Sequence, residues 1–180
     1  MLNRNFYLLA LLAPMLSLRM LFAQVLDPPR LPAGAAAVDV APGSGLRIKY
    51  HFVAVGKQVY ACENGQWAKS STPDATLYDM NSNLNLKVRH GAGPSWTTVD
   101  GKSTMRASGS TAIHFAAPDG VSIDWLKLDV DKASRTGEFG DVDLVQRLYT
   151  GAGKAPASGC AAQQIYEAPY TAHYYFWKRG

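Results

Sequence analysis

The chain lacks the local signatures that usually name a chemistry. No GxGxxG opens a helix, which removes the common signal of a dinucleotide-dependent dehydrogenase. The segment TGAGK at 150–154 ends like a phosphate-binding loop, but Leu148 stands where its first glycine belongs and Ala155 where a hydroxyl must follow the lysine. Ser95 misses the GxSxG elbow of a serine hydrolase because Thr97 replaces the second glycine. The histidines His51, His90, His114 and His173 show neither HExxH spacing nor an i, i+2 pair on one strand face. The acids Asp129, Asp131, Glu138, Asp141 and Asp143 carry oxygens suited to calcium, yet lack the twelve-residue loop spacing and its central glycine. They read as a solvated loop, and no metal or cofactor is expected. Paired carboxylates for glycoside hydrolysis leave no local motif, with Asp100 and Asp124 the first suspects. No Asn-x-Ser/Thr sequon occurs.

Charge is sparse too. Only 18% of residues are charged and the formal net charge is +4, which gives no electrostatic case for nucleic acid. Residues 1–23 place Arg4 before an apolar run and small Ala23 at a cleavage position, the pattern of a secretory signal peptide. Pro14 and Arg19 break that run short of the ~20 apolar residues a membrane span requires. No later segment is apolar enough to span, and removal of Arg4 and Arg19 would leave a charge of +2. A secreted or periplasmic location follows. There thiols oxidise, so the two cysteines, Cys62 and Cys160, are expected to pair.

What is present is apolar and strand-forming. With 47% hydrophobic residues in 180, the length suits one core. Residues 24–45 are rich in proline, alanine and glycine and read as an extended leader; the β-rich domain is expected over 46–180. LRIKYHF alternates, with Leu46, Ile48, Tyr50 and Phe52 on one face. Gly56-Lys57 and Asn64-Gly65 suit two-residue turns, which predicts a three-stranded meander over 46–69. A tight Asn64-Gly65 turn puts Cys62 directly across from Trp67, and the same register puts Cys62 opposite His51. Further strands are predicted over 77–81, 84–90, 95–99, 102–107, 112–117, 121–130, 142–149 and 170–177, with 142–149 also fitting a helical period. Asp100-Gly101 is the favoured hairpin turn and sets Trp96 opposite Met105. Residues 150–168 read as a long loop held by Cys160. The expected class is all-β: a single-domain antiparallel sandwich or barrel with one disulfide.

The candidate site residues are His90, Trp96, Gln146, Arg147, His173 and Tyr175. His90 is the titratable side chain of a glycine-rich stretch, HGAGPSW. An arginine fork at Arg147 can hold a carboxylate or sulfate bidentately, or it can tie down a neighbouring loop by bonding carbonyls. In the last strand Tyr170, Ala172, Tyr174 and Phe176 share one face, and Thr171, His173, Tyr175 and Trp177 the other. One face is core. The other is either a stacking surface for sugars or another ligand, or packs beneath a loop.

GPSW at 93–96, DGKS at 100–103, IDWLKL at 123–128, VQRLYTGAGKAPASGC at 145–160 and PYTAHYYFW at 169–177 together resemble the secreted family known as domain of unknown function 3455. The resemblance implies a secreted or periplasmic β-rich domain with a Cys62–Cys160 bridge, and names no substrate. The missing motifs weigh against an enzyme. The reading is a ligand-binding or cell-envelope-associated module for an extracellular ligand, carbohydrate foremost. One alternative is an extracellular hydrolase with His90, Asp100, Gln146 and Arg147 around one pocket and a carboxylate of raised pKa. The other is a structural envelope or stress-related protein with a flat surface and no small ligand.

Overall fold

The structure is a computed structural model that describes residues 26–81 and 85–180. The signal peptide expected over residues 1–23 lies outside the described residues. Ten strands are present among those described: β1 (Leu46–Glu63), β2 (Gln66–Trp67), β3 (Thr72–Asp79), β4 (Lys87–Gly91), β5 (Ser95–Thr98), β6 (Thr104–Arg106), β7 (Ile113–Phe115), β8 (Trp125–Asp129), β9 (Val142–Ala152) and β10 (Ile165–Arg179). They form one antiparallel sheet in the order β6-β5-β4-β3-β1-β10-β9-β8-β7, with β2 paired to the end of β1. The sheet curls into a half-barrel. The Ala107–Val130 bridge and the bond from the Asp131 amide to the Arg106 carbonyl (2.9 Å) tie its β6 end to the chain leaving β8. Thus the fold is all-β, and a single rolled sheet replaces the two facing sheets of a sandwich. No helix among the described residues is long and apolar enough to cross a membrane.

The long strand β1 corrects the expected meander. Gly56-Lys57 is no turn; it lies mid-strand, with Gly56 opposite Ala75 on β3 and Tyr170 on β10. A Cβ at Gly56 would collide with the Asp74 carbonyl oxygen and come within 2.5 Å of the Ala75 Cα, so glycine serves here for close backbone approach. Because β1 does not fold back, Cys62 is not opposite His51; His51 pairs with Tyr175. A bulge interrupts β1 between Ile48 and Tyr50. It splits the alternating set: Tyr50 and Phe52 join the inner core, while Leu46 and Ile48 pack with the outer cluster.

Other local expectations hold at the two hairpin turns, the disulfide and 142–149. Asn64 (φ 52°) and Gly65 (φ 80°) make the tight turn that sets Cys62 across from Trp67. Cys62 and Cys160 are bonded, closing a separation of 98 residues, for which chain entropy alone supplies up to about 4.7 kcal/mol. Trp96 pairs with Met105, and residues 142–149 are strand rather than helix. β9 runs on to Ala152 and β10 starts at Ile165, so the long loop is shorter than expected.

Two apolar clusters sit on opposite faces of the sheet. The inner one gathers Phe52, Trp96, Phe139, Tyr174 and Phe176, with Phe52 and Phe176 centroids 4.9 Å apart. The outer one holds Trp125, Leu148, Tyr175 and Trp177 beneath a segment before β1 in which a 3-10 turn, Ala35–Val38, buries Ala35 and Val38 completely. Three of the five acids are bound to cations or a phenol: Asp141 holds Lys49 and Lys178, Asp143 holds Arg135, and Glu138 accepts from the Tyr50 hydroxyl.

Gly56→Val is expected to destabilise the fold by about 1–3 kcal/mol through overpacking at the β1–β3 contact. Urea unfolding measures it. A change within about 0.5 kcal/mol, the scale of ordinary surface substitutions, would contradict the close-approach role.

Candidate functional site

Strand alternation decides which candidates can meet. Gln146 and Arg147 are neighbours on β9, so their side chains leave opposite faces of the sheet. Gln146 is fully buried on the outer side, where its Nε2 donates to the Val38 carbonyl (2.6 Å) and its Oε1 accepts from the Trp177 indole (2.6 Å). It fastens the segment before β1 to the sheet. Arg147 points inward and donates through Nε (3.2 Å) and Nη2 (2.8 Å) to the Asp124 carbonyl.

His90 and Trp96 lie directly across the β4–β5 hairpin, closed by Ala92, Gly93 and Pro94. That register stacks their rings with centroids 4.8 Å apart and planes within 1°. The edge of Tyr174 on β10 meets both, at 5.3 Å and 6.3 Å. His90 Nδ1 lies 2.9 Å from the Ser95 carbonyl, which can only accept, so the proton sits on Nδ1 and Nε2 keeps its lone pair. Burial pushes the His90 pKa down to about 4, the Ser95 carbonyl resists, and the nearby Arg147 charge adds to the fall. At neutral pH the ring is uncharged.

His90, Trp96, Arg147 and Tyr174 line one cavity of about 540 Å³ on the inner side of the roll. Apolar wall comes from Ile123, Leu126, Leu128 and Pro94, and polar groups from Gln58, Asp124 and His114. The His114 Nδ1 lies 3.3 Å from the Asp124 carboxylate, and both side chains are largely exposed. Lys69 and Lys154 also belong to the lining. Among the described residues the Trp96 indole N–H is buried without a hydrogen-bond partner.

The remaining candidates lie elsewhere. His173 and Tyr175 are on the outer face, where His51 Nε2 is 2.8 Å from His173 Nδ1 and His51 stacks on Tyr175 at 4.3 Å. Burial, with His173 alongside, lowers the His51 pKa to about 4, and burial lowers that of His173. Tyr175 and Trp177 are 6% and 3% exposed, so this aromatic face packs beneath the preceding segment. Asp100 sits at the β5–β6 turn, accepting from the Thr98 hydroxyl (2.6 Å) and the Lys102 amide (3.1 Å). Those two bonds, Thr98 first, hold its carboxyl below its usual value. The four-residue hydrolase arrangement is therefore not assembled: His90 and Arg147 share the cavity, while Asp100 and Gln146 do not line it.

The model of DUF3455, described as a protein of unknown function, matches residues 42–178. The chain belongs to this family. No curated protein and no solved structure matches it. Residues quoted for the resemblance, Pro94, Trp96, Ile123, Asp124, Leu126, Leu128 and Arg147, converge on the cavity. Gln58, Tyr174 and His114 were missed as candidates; Tyr174 carried a signal in its inward alternation with Tyr170 and Phe176 on β10.

The neutral state of His90 has a measurable sign. Its contribution to stability is complete above the unfolded pKa of 6.5 and is lost as pH falls toward about 4, because the unfolded ring takes up a proton first. His90→Asn, which keeps a donor for the Ser95 carbonyl, should show a shallower loss of urea midpoint over that range than the parent. Equal slopes would contradict it.

Proposed function

We propose that this chain is an exported small-ligand-binding domain whose site is the inner cavity. The carrying observation is the cavity itself: about 540 Å³, within the usual size of ligand pockets, mostly apolar in its walls and furnished with a few convergent polar groups. Export is in keeping with the Cys62–Cys160 bond. The ligand-free structural alternative expects no such pocket, and the hydrolase alternative needs Asp100 and Gln146 beside His90. A glycan partner needs an open aromatic face on which a sugar ring can lie. Trp96, at 1% exposed, and the covered Tyr175 and Trp177 offer none, so a smaller and less polar guest suits the site better.

The neutral dye N-phenyl-1-naphthylamine tests this. Saturable one-to-one fluorescence enhancement is expected with the native chain. Ala112→Trp, placed in the cavity lining, should abolish it without lowering the melting temperature. Absence of enhancement, or enhancement equal in the variant, would overturn the reading.

A further inference from the structure

The cavity holds an unbalanced charge, and that deepens the reading above, on which this inference rests. Arg147 is half-buried and makes no ion pair among the described residues. Asp124 offers it a backbone carbonyl, while the Asp124 carboxylate turns to His114. Nε and Nη2 are used on that carbonyl, which fixes the plane of the guanidinium, and Arg147 also bonds the Tyr174 hydroxyl, a neutral group that leaves the charge unpaired. Its charge is felt by the groups around the cavity floor: burial raises the Tyr174 phenol while Arg147 pulls it the other way, and Arg147 adds to burial in keeping His90 neutral. A further buried donor, the Trp96 indole N–H, has no acceptor among the described residues. Lys69 and Lys154 add positive charge to the lining, against Asp124 as its one carboxylate.

A half-buried cation without a counter-ion is costly, and the same group becomes favourable once an anion pairs with it. The apolar part of the wall, from Ile123, Leu126, Leu128 and Pro94, asks for hydrocarbon. We propose that the guest of this cavity is a small organic acid with a flat apolar body and one anionic head, the head resting on Arg147.

Calorimetry on the full chain with 2-naphthoate and its uncharged counterpart 2-naphthylmethanol separates the head from the body. The acid is expected to bind at least about tenfold more tightly, the scale of one charged hydrogen bond. Arg147→Gln should bring the acid down to the affinity of the alcohol and leave the alcohol unchanged. Equal or tighter binding of the alcohol to the native chain overturns this inference while leaving the cavity reading in place, whereas failure of both probes to bind removes the two together. A glutamine variant that folds and keeps the preference for the acid also overturns it. The native comparison decides alone if that variant does not fold.

Discussion

The pairing of β1 with β10 is the constraint on which everything else hangs. It runs antiparallel from Leu46–Arg179 to Ala61–Ile165, interrupted by one bulge. Because side chains alternate, that register fixes two faces at once. Tyr50, Phe52 and Ala54 join Ala172, Tyr174 and Phe176 inside the roll, and His51 joins His173 and Tyr175 outside it. A slip of one residue would exchange the faces of either strand. The disulfide lies just past one end of the ladder, at Cys62, and the Gly180 amide bonds the Gly45 carbonyl at the other (2.8 Å). Both ends of the central pair are thus held.

The two faces are finished differently. Outside, Ala35 and Val38 fill the surface over Leu148 and Trp177, with Gln146 bonding both Val38 and Trp177. A buried amide whose oxygen and nitrogen are both engaged is spent on holding the fold together. Inside, the sheet curls far enough to bring β4 near β9, across the three strands between them, but the aromatic core fills only part of the roll. The unfilled part is the cavity. His90 on β4 and Arg147 on β9 meet there only because of the curl, and burial, with the Arg147 charge adding to it, keeps the imidazole neutral beside the fixed cation.

Local chemistry was legible in the sequence, and distant geometry was not. Asn64-Gly65 and Asp100-Gly101 announced their turns, and Tyr170 to Trp177 announced a two-faced strand, because each rests on neighbours in the chain. Gly56 was misread since its glycine answers to β3, whose backbone approach no local pattern reveals. The bulge at Ile48/Tyr50 hid behind a perfect alternation. Period-two spacing already separated Gln146 from Arg147, and that signal was available but outweighed by their adjacency. The meeting of His90, Trp96 and Arg147 depended on strand order and curvature, which the chain encodes only through the whole fold.

The central claim is that the inner face is open to a guest while the outer face is closed. Following the indole N–H resonances of the four tryptophans during titration with 2-naphthylmethanol tests it most directly. The account predicts that the Trp96 signal moves with saturation, while Trp125 and Trp177, on the outer side, stay in place. Movement of Trp177 or Trp125 with Trp96 unmoved would contradict it.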